Sequence, residues 1–327
     1  MKKQLYQLLL LTIVCLAGCK KNADVAPPEA ITGLSASVTA AVKAQVWSGW
    51  SQVPGNGTTT ISDAATVYNG KLYLFGIGTG DHKHYVNVFN GVTWSSWSEV
   101  PGGGTTLLPD AATVYNNALY LFGVGIGDHK HYVNVFNGVT WSGWSEVPGN
   151  GTTTISDAAT VYNGKLYLFG IGTGDHKHYV NVFNGVTWNG WREVPGGGTT
   201  LLPDAVTVYN NVLYLFGVGI NDHKQYVTIF NGVAWSGWSE VPGGGTTDHA
   251  VAAAVYNNNL YLFAIGIIDN KHYNNVFNGV SWSGWSVVPG NGTTENADAA
   301  VTYNSRLYLF SIGITDQRHY LNVLSNQ

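Results

Sequence analysis

The chain has 327 residues and a formal net charge of −4, its 15 Lys and Arg being outnumbered by 19 Asp and Glu. With no basic patch to collect phosphates, nucleic acid is excluded as a partner. Charged residues make up only 10% while glycine (42 residues) and aromatics (13%) are abundant, a profile of strands and tight turns that excludes a disordered chain.

At the start, Lys2 and Lys3 precede an apolar run from Leu5 to Leu16, which ends in Leu16-Ala17-Gly18-Cys19. A basic segment, a short apolar segment and small residues before the cut describe an export signal. The run is too short to span a bilayer comfortably. Its last four residues resemble a bacterial lipobox. The resemblance implies that residues 1–19 are a lipoprotein signal peptide and that Cys19 becomes the acylated, palmitate-bearing N-terminus. Lys20 and Lys21 carry no acidic retention signal. By likeness to enterobacterial lipoproteins, the protein is then expected in the outer membrane of a bacterial cell envelope, facing either periplasm or exterior. Cys15 leaves with the signal, so no disulfide is expected in the mature fold. Residues 20–44 are small, polar and proline-marked without a sustained period, and read as a flexible tether.

From Gln45 onward one sentence is repeated. Every tryptophan belongs to a W-x-x-W pair: Trp47/Trp50, Trp94/Trp97, Trp141/Trp144, Trp188/Trp191, Trp235/Trp238 and Trp282/Trp285, spaced by 47 residues. A fixed period of this size means a solenoid, a propeller or an array. Within the first copy, Ala64–Tyr68 reads as a short strand of small and β-branched residues. Asn69-Gly70 is the strongest short hairpin signal, since a type I′ turn needs positive φ at both central positions. Lys71–Ile77 reads as a second strand, Gly78–Asp81 as a looser turn, His84–Phe89 as a third strand and Asn90-Gly91 as another tight turn. Val92–Val100 then carries the Trp pair as a fourth strand. Four short antiparallel strands, apolar on both faces, form a blade that must stack on neighbours.

Strands one to three occur six times, the last time in Ala299–Val323, and no fourth strand follows. Val46–Val53 has the fourth-strand pattern without the other three. The expected fold is therefore an all-β, six-bladed β-propeller of four-stranded antiparallel blades over residues 45–327. Its last blade is closed by the N-terminal strand, which leaves no open edge. It is expected to be monomeric.

Together, "LYLFGxGxxDxKHYxNxFNG" and "WSGWSEVPGG" resemble the repeat of the fucose-binding propeller lectins of the Photorhabdus type, over residues 45–327. That resemblance implies a sugar-binding propeller with sites between blades and fucosylated glycans as partners. This chain departs from it in having six blades where the family has seven, a His at the second turn position, and Val-Pro where the family has Leu-Gly. "YNGKLYLFG" also resembles a kelch repeat, which implies a propeller and no ligand.

Tight Asn-Gly hairpins emerge on one face of such a blade, and the longer connections on the other, where binding groups are carried by rigid strands. On that face the turn residues are the candidate ligand contacts, since they donate and accept toward sugar hydroxyls. They are Asp81, His82, Lys83, His84 and Tyr85; Asp128, His129, Lys130, His131 and Tyr132; Asp175, His176, Lys177, His178 and Tyr179; and Asp222, His223, Lys224 and Tyr226. Trp97, Trp144, Trp191 and Trp238 are candidates for stacking on a sugar face, or for packing between blades, or for both. Each turn aspartate, like Asp63 and its equivalents before the inner strand, has a second reading as a cap on backbone N–H groups. His82, His84 and Asp81 do not make a convincing metal set, because three ligands on one tight turn seldom converge without a fourth. No cofactor is expected. The singular polar residues Arg192, Asp248, His249, Glu295 and Arg306 form no nucleophile–base set in sequence, which argues against an enzyme. The leading expectation is a multivalent, lectin-like surface lipoprotein. A protein-binding scaffold and a glycan-processing enzyme are the alternatives.

Overall fold

The computed structural model describes residues 44–327; the signal, the tether before Ala44 and Cys19 lie outside the described residues. Ala64–Tyr68 pairs with Lys71–Ile77, which pairs with His84–Phe89, which pairs with Ser98–Glu99. The same order recurs from Ala111, Ala158, Ala205, Ala252 and Ala299. The first strands of successive sheets touch in a closed cycle, so six blades surround one axis with the alanine-rich strand innermost. We number them 1 to 6 from Ala64. The all-β six-bladed propeller is the fold that the repeat predicts.

The turns explain why the repeat folds locally. Asn69 and Gly70 hold φ of 46° and 69°, as a type I′ hairpin requires. Where the pair is Asn116-Asn117, both asparagines hold the left-handed region at 46° and 58°, which their short amide side chains tolerate. Tyr68 ties the hairpins of neighbouring blades by donating its hydroxyl to the Asn117 carbonyl at 2.9 Å.

Each second strand has no solvent side. Leu72 and Leu74 face blade 6, where they pack with Tyr308 and Phe310. Tyr73 and Phe75 face blade 2 and pack against Leu119 and Leu121. The two sets alternate along the strand because successive side chains point to opposite faces.

The fourth strand differs from the expectation of one run over Val92–Val100. Only Ser98–Glu99 is paired as a strand, with a separate bridge from Trp94 to Phe89. Between the tryptophans Ser96 takes φ of 72°, and in most copies a glycine such as Gly143 does the same at 81°. Residues three apart on a regular strand would point to opposite faces. The left-handed residue instead turns both indoles into one cleft, where Trp94 and Trp97 pack against the blade 6 cluster.

Ring closure follows the predicted route. Gln45–Trp47 pairs with the end of His319–Asn326, and Ser51–Gln52 pairs with its start. Val53 donates to the His319 carbonyl at 2.8 Å. Trp47 meets Phe263 edge-on at 6.2 Å, so the N-terminal indoles seal the junction with blade 5. Deleting residues 45–53 removes two partly buried tryptophans, each worth about 3–5 kcal/mol when truncated in a core, and bares a strand edge. Thermal denaturation is expected to show a large fall in midpoint, and size-exclusion chromatography concentration-dependent oligomers.

Candidate functional site between the blades

The longer connections gather on the face opposite the Asn-Gly hairpins. Pockets of 340 to 510 Å³ lie there at the junctions of blades 6/1, 1/2, 3/4 and 4/5. At the 1/2 junction, Asp128, Tyr132 and Trp144 come from blade 2 and His84 from blade 1, while the glycine-rich connector Gly102–Thr105 forms one wall.

The turn between strands two and three is built around its aspartate. Asp128 accepts the Tyr132 hydroxyl at 2.7 Å and the Lys130 backbone N–H at 3.2 Å. These bonds, the tyrosine hydroxyl first, hold its carboxyl below the usual range, and Asp81 is held low in the same way by Tyr85 and Lys83. The capping role is thus real, and the same carboxylate–phenol pair lines the pocket. His129 sits at the left-handed corner with φ of 57°. Its carbonyl accepts from Thr153 at 2.8 Å, which joins the turn to the next connector. Lys130 reaches back to Glu146 at 2.8 Å. His82, His129, His176 and His223, and the lysines beside them, do not line these pockets.

The second histidine of the turn has another position altogether. His84 is buried at 3% exposure and its Nδ1 meets Asp110 at 2.8 Å, across the blade junction. His131 pairs in the same way with Asp157, His178 with Asp204, His272 with Asp298 and His319 with Asp63. Burial pushes the carboxyls of Asp63, Asp110 and Asp204 up, against the opposing pull of their histidines. The His84 ring packs against Trp144 at a tilt of 37° with centroids 4.2 Å apart. On the pyrrole half of that indole lies Gly104, where an added Cβ would come within 2.3 Å of Nε1 by position. Trp144 is therefore clamped as a pocket wall between a glycine and a histidine, and the equivalent clamp holds Trp97 between Gly57 and His319.

The metal geometry weighed for the turn does not form. His84 points into the junction while His82 stays at the turn corner, and no group of three His, Cys, Asp or Glu converges among the described residues. Three of the singular residues, Asp248, His249 and Glu295, line one axial mouth of 400 Å³, together with aliphatic side chains such as Ile61, Leu108 and Leu202 and the aspartates of the His–Asp pairs. Arg192 lies on an outer strand and Arg306 on the hairpin face.

The Asp–His pairs across blades were missed in the sequence reading, yet the sequence carries a signal for them. At the 4/5 junction Gln225 replaces the histidine, Val251 replaces the aspartate and Ala264 replaces the glycine that faces the ring elsewhere. A change of all three at one junction marks them as contacting partners.

No known family description matches the chain, and no curated protein matches it. Solved structures do. A mutant of AofleA from Arthrobotrys oligospora superposes with a TM-score of 0.61 at 11% identity, covering 87% of this chain and 93% of that one. The Aleuria aurantia lectin, solved in complex with α-methyl-L-fucoside, gives 0.55 at 13% identity, covering 82% and 96%. A Hadza microbial sialidase gives 0.59 at 12% identity over 83% of this chain and 66% of its own. The likeness is one of fold.

The buried pair yields a stability prediction. Asp110→Val alone strands His84 and should cost about 3–5 kcal/mol. Adding His84→Gln and Gly123→Ala copies the natural 4/5 junction, whose Gln225 amide lacks a partner. The triple variant should recover to within about 1–3 kcal/mol of the parent, the cost of one unpaired buried amide. Chemical denaturation of the single and triple variants measures this, and additive losses would show that the three do not act as a unit.

Proposed function

We propose that this protein binds carbohydrate, one saccharide unit in each inter-blade pocket, as a multivalent lectin-like ring. The observation that carries the reading is the repeated pocket, in which a carboxylate, a phenol and an indole edge meet beside a connector of glycines and threonine. Asp128 and Tyr132 exchange hydrogen bonds with hydroxyl groups, and the walls offer apolar surface to ring carbons. The fold shared with a lectin solved with a fucoside makes fucosylated glycans the first class to try. One small pocket buries little area, so single sites are weak. Repetition on one face raises avidity on a glycan-coated surface by about 10²–10⁴ where the spacing permits.

A glycan array identifies the ligand and calorimetry then counts the sites. Several equivalents per chain are expected; one per chain defeats the repeated-site reading. Asp128→Asn and Tyr132→Phe should each weaken their pocket, whereas His129→Ala, outside the pocket, should leave it unchanged. The pH dependence follows from the turn aspartates. The tyrosine hydroxyl bonded to each holds its carboxyl below the ordinary aspartate range. The stabilisation of the turn is thus fully present above that range and lost as pH falls through the lower folded pKa. Binding should hold from about pH 5 upward and collapse only in strong acid, where the tyrosine and lysine bonds to the carboxylate are lost.

The same proposal places the ring in the bacterial envelope through acylation of Cys19, in the outer membrane. Wild-type protein should stay with membranes through a high-salt wash and need detergent for release. Cys19→Ser should come off in the wash with its propeller intact, as read by tryptophan fluorescence. Recovery of the wild type as an unacylated soluble protein would defeat the anchor.

A further inference from the structure

The two faces of the ring are chemically unlike. On the hairpin face, the tips between third and fourth strands present Val92, Val139, Val186, Val233 and Val280, each 84 to 90% exposed. Scattered exposed apolar residues are ordinary. These five are the same position of five blades and stand around the rim of one face. Blade 6 has no such hairpin. Its place is taken by Gln45, paired to Asn326, so the chain from the N-terminus enters the fold at the sixth rim position.

Charge divides in the same way. Every Asp and Glu among the described residues precedes an inner strand, lies in a turn between second and third strands, or lies on the outer strand opposite the start of the third. All of these belong to the pocket half of the molecule. Inside the rim of valines, the inner hairpins carry exposed Lys71, Lys165 and Arg306 and no acidic side chain. The remaining tip residues are Asn, Gly, Thr, Ser and Ala, with Val212 in the fourth inner hairpin.

We infer that the hairpin face is a docking surface for an anionic lipid bilayer, with the five valines entering the headgroup layer and the three cations meeting lipid phosphates. A bilayer is the occupant that these features favour together. The valines stand one per blade on five blades and are not gathered into one groove, the charge is positive where a lipid surface is negative, and a chain anchored at its N-terminus enters on this side. The orientation rests on the proposed Cys19 anchor, while the lipid contact stands without it. It turns every pocket away from the membrane, where a glycan-coated surface is within reach.

The test uses the full chain carrying Cys19→Ser, so that no acyl group contributes, and vesicles of phosphatidylglycerol in phosphatidylcholine against vesicles of phosphatidylcholine alone. Sedimentation with the anionic vesicles at low salt is expected, with little on the neutral ones. Lys71→Gln, Lys165→Gln and Arg306→Gln together should weaken it on the order of 10²-fold, given several-fold per cation near an anionic surface. Val139→Asp with Val186→Asp should weaken it as well, and Arg192→Gln on the outer strand should not. Tryptophan fluorescence confirms that each variant is folded. No sedimentation, equal sedimentation on both vesicles, or equal loss with Arg192→Gln would overturn the proposal. So would self-association that the valine changes abolish, which would make a second copy the occupant. Failure of the anchor reads differently, as wild-type protein released from membranes by salt alone.

Discussion

No blade of this protein can bury its own core. Leu72, Leu74 and Phe75 are fully buried although they lie on opposite faces of one strand, because each face is covered by a different neighbour. Stability is thus a property of junctions, and a ring has one more junction than an open row of the same blades. Closing it pairs the open edge of the sixth blade's third strand and covers the two apolar faces that an open row would leave. The segment from Gln45 to Val53 does this with few residues, because its two indoles reach blade 5 while its backbone completes blade 6. The pockets depend on the same closure. Each takes its histidine, or Gln225 at the 4/5 junction, from one blade and its aspartate, tyrosine and tryptophan from the next, so a blade alone holds half a site.

The buried His–Asp contacts show how polar groups are kept inside such junctions. Taking a carboxylate out of water is costly, and the raised carboxyls of Asp63, Asp110 and Asp204 report that cost. Each is offset by a hydrogen bond to one imidazole and by packing of that imidazole on an indole. The 4/5 junction solves the problem by discarding both partners, with Val251 and Gln225 in their places. Ala264 then fills space that the histidine needs elsewhere, where a Cβ on Gly123 would come within 2.8 Å of the ring. At the 5/6 junction Ser311 holds the glycine position opposite a retained His272, so a Cβ and the histidine are both accommodated there. The pair is therefore one packing solution among several and not a requirement of the fold.

Much of this was legible in the repeat. The period, the Asn-Gly turns and the misplaced Trp47/Trp50 segment led to blade count, strand order and closure, because each is written in local turn chemistry and hydrophobic alternation. The fourth strand was read too long, since a left-handed Ser96 or Gly143 between two aromatic residues breaks the ladder without breaking the pattern of apolar residues. In the turn, Asp81 and Tyr85 line a pocket on the face of the longer connections, and their mutual bond is the i to i+4 contact that tight turns permit. His84 was expected at the start of the third strand, where it lies, but its partner across the junction was not. The strand directs its ring across the junction to an aspartate 26 residues later in the chain. Contacts between blades leave no mark in the local pattern of one copy. They show only when copies are compared and a junction is found where all the partners change together.

That comparison also separates what the pocket floor does from what its walls do. The floors are nearly uniform: a clamped indole, a connector of glycines, an aspartate bonded to a tyrosine. The wall beside the aspartate is not. In blades 1 and 3 it is Thr79 and Thr173, whose hydroxyls approach Thr58 and Thr152 of the connectors at 3.3 Å. In blades 2 and 4 it is Ile126 and Ile220, and in blade 5 the pair Ile267-Ile268. Around the first four blades hydroxyl and aliphatic walls alternate, as duplication of a two-blade block would leave them. A hydroxyl wall favours a ligand that can replace its hydrogen bond, and an aliphatic wall favours a methyl or a bare ring face. The floor residues hold the blades together and tolerate little change. The wall residues belong to none of the junction cores, so ligand selectivity can diverge there while the ring itself stays the same.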